Sequence, residues 1–318
     1  MTMKLEEIYQ SFIAQGQAHD PRTMAEITRQ LAQEKERYEK LSAEEKQYYD
    51  LERLTNPYAD TRILAGKSTH KVKTILCGID VETQDLLLAD RLIEKGEKID
   101  LVLAHHPEGQ ALLGLSDVMN LQEDVLMKQG VPIGLAQGML SCRISEVKRA
   151  FLPYNVQRTI NTAQLLKLPF MCVHTPADNQ VQWYLENLFA EQAPVTVQDV
   201  LDLLRHIPEY QEAMRIGAGP ILINGEPSRR TGKIMVDMTG GTSGSENAYE
   251  KLAMAGVGTI VSMHMGEDHR KEAEKYHFNI IIAGHMASDS LGMNLLLDEI
   301  AKQGVKILPF SGFYRVQR

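Results

Sequence analysis

One stretch constrains the fold more than any other. Leu101-Val102-Leu103-Ala104 is an uninterrupted apolar run that stops abruptly at His105-His106-Pro107. Such a run reads as a buried strand, and Pro107, with no N–H to donate, stops its ladder. The strand therefore delivers two imidazoles at its end. Successive side chains of an extended segment point to opposite sides, so the pair could serve two metal ions rather than chelate one. The competing reading is an ordinary strand end with one satisfied and one exposed ring. Metal binding requires carboxylates and a further histidine at the ends of other strands.

The surrounding pattern supplies those strands. Val72 to Ile79 reads as a β-branched strand, Thr83 to Lys95 as a helix with Leu86, Leu87 and Leu92 inward, and Ile99 to Ala104 as the next strand. That order is a βαβ unit, which makes the strands parallel and puts ligands beyond their carboxyl ends. A helix at Asp117–Gln129 and a short strand at Val131–Ile133 follow. Phe170–Val173 is a strand that runs into His174-Thr175-Pro176-Ala177-Asp178. After a punctuated helical connector, Val181 to Arg215, strands at Ile221–Ile223, Lys233–Asp237, Thr259–Ser262 and Asn279–Ala283 alternate with helices near Ser245–Ala255 and Glu267–Tyr276. The last strand ends in Gly284-His285, ahead of a helix carrying Leu291, Leu295, Leu296 and Ile300.

The predicted fold class is thus α/β, with two βα lobes and an N-terminal helical hairpin. Residues 1–70 form the helical extension, 71–216 the first lobe with its connector, and 217–318 the second lobe; 318 residues suit two such units. In the extension, Ile27, Leu31, Tyr38 and Leu41 mark a narrow apolar stripe, Ser42-Ala43-Glu44-Glu45 fits a capping box, and Asn56-Pro57 ends the second helix. This hairpin reads as a solvated appendage on the main body rather than a partner-binding arm.

Charge and cysteines narrow the function classes. A net charge of −8 without a Lys/Arg run disfavours nucleic-acid binding, which needs a concentrated basic face. No run approaches the roughly 20 apolar residues that span a bilayer, and the acidic N-terminus is unlike a signal peptide. Cys77, Cys142 and Cys172 are widely spaced, as expected of reduced thiols in a cytoplasmic protein with no membrane partner.

Three strand ends carry ligand-type residues: His105-His106, His174 with Asp178, and His285 with Asp289. Imidazole nitrogen and carboxylate oxygen suit zinc, manganese or iron. Two ions would share a water and make it a nucleophile at neutral pH. Asp178 and Asp289 could each be simple helix caps, yet histidines at three strand ends together favour the metal. Gly240-Gly241-Thr242-Ser243-Gly244-Ser245 could cradle a phosphate or form a tight strand-to-helix turn, and His264 and His269 read as surface or outer-shell groups.

Asp80-Val81, Ala104-His105-His106-Pro107, His174-Thr175-x-x-Asp178, Met265-Gly266-Glu267 and Gly284-His285-x-x-Ser288-Asp289 together resemble the Nif-three-like family, also labelled GTP cyclohydrolase I type 2 homologues. The resemblance spans about residues 70–310. It implies a two-lobed α/β protein with a dinuclear metal site between the lobes, two divalent metal ions per chain and a homo-oligomeric, often hexameric, assembly. By this resemblance the ligands are His105, His106, Asp178 and His285, with Asp289 in fifth place, while His174 and Glu267 line the pocket; in a hydrolase His174 or Glu267 would move protons. This chain departs from the family in having Asp289 where a glutamate is usual, and Met263-His264-Met265-Gly266-Glu267 where a threonine-glycine-glutamate run is usual. Either the backbone comes closer to compensate for the shorter side chain, or Asp289 acts through water and one ion is held weakly; the second is the expectation. The leading functional expectation is a dinuclear metal-dependent hydrolase of a small-molecule substrate, a nucleotide or related ring or phosphate compound. The alternative is a non-catalytic metal-binding protein: a metallochaperone, a metal-insertion factor or a regulatory scaffold.

Overall fold

The structure, a computed structural model, describes residues 2–318. Its strands, in chain order, are β1 (Met3–Lys4), β2 (Arg62–Ala65), β3 (Lys71–Val72), β4 (Thr74–Gly78), β5 (Leu101–Ala104), β6 (Phe170–Cys172), β7 (Ile221–Asn224), β8 (Lys233–Asp237), β9 (Val257–Ser262), β10 (Asn279–Ile282) and β11 (Lys306–Pro309). One sheet has the order β11-β4-β5-β6-β2, and a second has the order β7-β10-β9-β8. Within each, the central pairs are parallel, as βα alternation requires, and one edge strand, β2 or β7, runs antiparallel.

Side-chain alternation explains why both faces of each sheet are covered. In the first sheet Ile75, Leu101, Leu103 and Met171 face one core, and Leu76, Val102, Ala104 and Phe170 face the other. The second sheet repeats this with Val236, Val261 and Ile281 on one side and Met235, Ile260 and Ile280 on the other. Between the sheets lie two long helices, Thr175–Gln192 and His285–Lys302. The first puts Ala177 into the first sheet's core and Val181 and Leu185 into the second's; the other divides Met293 and Leu297 from Ala287 and Leu291 in the same way. They form a middle layer shared by both sheets, so the strand ends of both lobes converge on their N-termini.

The N-terminal region has two characters. Met24–Glu39 is a solvated helix with only Ile27 buried. Leu5–Ala18 instead buries Leu5, Ile8 and Phe12 against the first sheet and the helix His285–Lys302, and each such side chain contributes about 1.5–3 kcal/mol. Residues 1–70, read from sequence as helical, also contain β1 and β2. Strand β11, beyond the final helix, returns to the first sheet beside β4. The short strand expected at Val131–Ile133 is absent: Pro132 caps a helix that runs Ile133–Phe151, since its fixed φ and missing N–H suit a helix start. Among the described residues no helix is long and apolar enough to cross a membrane.

Candidate metal centre

Strand β5 ends at Ala104, and the next residues turn both imidazoles into the space above the middle layer. His105 is buried and His106 is half-buried. Strand β6 leads through Val173 to His174 and the helix Thr175–Gln192, whose first turn carries Asp178. Strand β10 leads to Gly284, whose φ of 112° is open to glycine, and the helix beginning at His285 places Asp289 one turn on.

These ends meet. Asp178 Oδ1 lies 3.5 Å from His105 Nε2. One oxygen of Asp289 lies 3.6 Å from His105 Nε2, and the other lies 3.5 Å from His106 Nε2 and 3.7 Å from His285 Nε2. Those separations exceed hydrogen-bond length, and both oxygens of Asp289 are buried without a hydrogen-bond partner. A buried carboxylate left so is costly unless a cation neutralises it. Ligand atoms about 2.1 Å from a shared tetrahedral ion stand about 3.4 Å apart, close to the spacings found here. The residues present fit a metal: His106, His285 and Asp289 offer one group of donor atoms, His105, Asp178 and Asp289 another, and His105, His106 and His174 a third.

The rings are held from behind. His105 Nδ1 lies 3.0 Å from the Val173 carbonyl oxygen, which fixes the proton on Nδ1 and leaves Nε2 free toward Asp178 and Asp289. His106 Nδ1 meets Asp80 at 2.6 Å, and His174 Nδ1 meets the buried Asp60 at 2.9 Å. Asp60 also accepts from the Thr175 hydroxyl at 2.6 Å. Carboxylates and carbonyls behind imidazoles are the usual supports of metal-ligating histidines.

The electrostatics follow from burial and from the central charge. Burial lowers His105 to about 4 despite Asp289. Burial would also lower His106, but the attraction of Asp289 and Asp80 raises it to about 10. Asp178 is pushed up to about 7 by burial, which outweighs the opposing pull of His174; the charges of Asp289 and Asp60 add to the rise. Burial would raise Asp289, yet the surrounding His105, His106 and His285 hold it well below the usual carboxylate range. At neutral pH the cluster therefore carries an ionised carboxylate at its centre.

Of the residues singled out from sequence, His105, His106, His174, Asp178, His285 and Asp289 are brought together. Glu267 is not: it lies on the surface at the start of the helix Glu267–Lys275, its carboxylate 2.9 Å from both Arg270 Nε and Nη2. His264, whose ring lies 4.9 Å from that of His285, lines a cleft that opens onto the cluster. His269, Asp237 and Tyr249 line it too. Sequence reasoning passed over Asp60, Asp237 and Tyr249, because a single polar residue beside a strand, or one aromatic on a short helix, carries no periodic signal.

No protein-family model and no curated protein matches this sequence. Solved structures do match. The chain is similar to a NIF3 superfamily protein from Sphaerobacter thermophilus, with a TM-score of 0.73 and 26% sequence identity, covering 82% of this chain and 94% of that one. It also shares a fold with reduced HcgD from Methanocaldococcus jannaschii, at a TM-score of 0.50 and 11% identity, covering 78% of this chain and 87% of that one.

Proposed function

The chain is a NIF3-like protein, and on that footing we propose that it holds two divalent metal ions, zinc, manganese or iron, and hydrolyses a small molecule. The observation that carries this reading is Asp289: its two oxygens face different histidine sets, His105 on one side and His106 with His285 on the other. A carboxylate so placed suits a bridging ligand. Spacings of 3.5–3.7 Å to three imidazole nitrogens would suit direct contact of Asp289 with an ion as well as contact through water. When bound, the ions would lower the pKa of water and polarise a substrate oxygen. His105, His106, His285, Asp178 and Asp289 would hold them. His174, buried beside the cleft and oriented by Asp60, is the group placed to move a proton. Burial alone would lower its pKa, but the charge of Asp178 and the bond to Asp60 raise it above the usual histidine value.

The cleft favours catalysis over carriage, since a carrier needs no room for a substrate beside its metals. A homo-oligomer, possibly a hexamer as the resemblance suggests, and a cytoplasmic setting belong to the same reading; light scattering after size exclusion tests the first. The central test is metal analysis of protein purified without added metal, followed by turnover of a nucleotide and phosphoester panel with and without chelator. About two ions per chain and chelator-sensitive turnover support the proposal. Absence of turnover, with ready transfer of metal to an apo-acceptor, would make the protein a metal carrier instead.

A further inference from the structure

The cleft is lined in part by residues that the metal cluster does not include. It runs past Met263, His264 and Met265 to Asp237 and Tyr249. Asp237 is the last residue of β8, which pairs in parallel with β9, so its side chain leaves the carboxyl end of the second sheet, where α/β folds receive ligands. It is exposed to the cleft, while Leu126, Met235, Leu252 and Ile260 line an apolar recess that reaches the same residue from behind. The partial desolvation raises its pKa to about 6, and among the described residues no cation or hydrogen-bond donor offsets it. Elsewhere Glu209 pairs with Arg318 at 2.7 Å and Asp50 with Arg62. Asp237 remains largely ionised at neutral pH and lacks a partner.

Its neighbours are rigid and flat. The Tyr249 hydroxyl is engaged by His269 Nδ1 at 3.2 Å, and the ring is fixed edge-on between His269 and Phe278 at centroid distances of 5.7 and 5.8 Å. Methionines and aromatic rings make soft, planar-tolerant walls, and a free carboxylate takes two parallel N–H donors best.

We propose that Asp237 is the specificity-determining residue of the cleft, accepting the paired N–H edge of a planar, amidine-bearing or amino-substituted nitrogenous ring whose reacting end points toward Asp289. The inference deepens the hydrolase reading, on which it rests only for the reacting end. Its recognition half is separable, because Asp237 is not among the residues that would hold metal.

The test uses metal-loaded protein and two probes of the same shape, benzamidine and benzamide, with binding measured by calorimetry and metal content measured alongside. Charge-assisted paired hydrogen bonds predict that benzamidine binds roughly tenfold or more tighter. Asp237→Asn, which turns one acceptor into a donor, should bring the two affinities together and leave metal content unchanged. Equal affinities in the unaltered protein, or a preference that survives Asp237→Asn, would overturn the proposal. The first of these outcomes needs no variant to fold. Protein that binds no metal yet still prefers benzamidine would sink the hydrolase reading and spare this one; full metal content without the preference would do the reverse.

Discussion

The carbonyl oxygen of Ala177 occupies the space that a β-carbon on Gly292 would need, closer than any real β-carbon contact. The two helices of the middle layer therefore cross backbone to backbone, and this brings Asp178 and Asp289 into one cluster although 111 residues separate them in sequence (289 − 178). Gly292→Ala should gain up to about 1 kcal/mol of helix propensity. The clash is with backbone, which cannot swing aside, so a net loss of about 1–3 kcal/mol from overpacking should win. Urea unfolding would show it. The same variant should bind metal more weakly, and a variant of unchanged stability and affinity would mean that the helices can part without disturbing the ligands.

Asp289 makes the sharpest case for a shared ligand. Asp289→Asn keeps the shape and removes the charge that both histidine sets face, so it should weaken metal binding at both positions without unfolding the chain. Titration calorimetry with circular dichroism separates the outcomes. Loss of one ion alone would assign Asp289 to a single metal, and loss of neither would leave it a helix residue.

Much of this site could be read from the chain because its ligands stand where apolar runs stop. His105 and His106 end β5, His174 follows β6 and His285 follows β10, and an uninterrupted Val/Ile/Leu/Met run followed by His is visible in one dimension. Supporting groups were not. Asp60 is hydrogen-bonded to His174 across 114 residues, and nothing near it marks it as more than a turn acid. The helix Leu5–Ala18 and strand β11 escaped for a related reason: each completes the first sheet's core from far away in sequence, so only tertiary packing reveals its role. Glu267 misled in the opposite direction, because its sequence neighbours suggested a pocket while its ion pair with Arg270 turns it outward.

Glu267 gives a control. Its carboxylate is exposed and paired with Arg270 within its own helix turn, where solvent screening leaves such a pair little effect. Glu267→Gln should leave metal content, turnover and the urea midpoint of unfolding unchanged. A tenfold fall in turnover with unchanged metal content would return Glu267 to the chemistry.

The last prediction concerns protons. In metal-free protein His106 is raised to about 10, so at pH 7 it carries a proton that an incoming metal must displace. His105, lowered to about 4, is already free, and Asp178, near 7, is about half protonated. Metal binding at pH 7 should therefore release between one and two protons per chain, and affinity should rise between pH 7 and 9. Calorimetry in two buffers of different ionisation enthalpy counts those protons. The sign for folding is opposite. A histidine whose folded pKa exceeds its unfolded value near 6.5 contributes its full stability below that value and loses it as pH rises through about 10. Metal-free protein should therefore lose His106's stabilising contribution between pH 7 and 10, over the range in which metal affinity climbs. If no proton is released on binding, His106 is neutral before the metal arrives, and the attraction assigned to Asp289 and Asp80 is too strong.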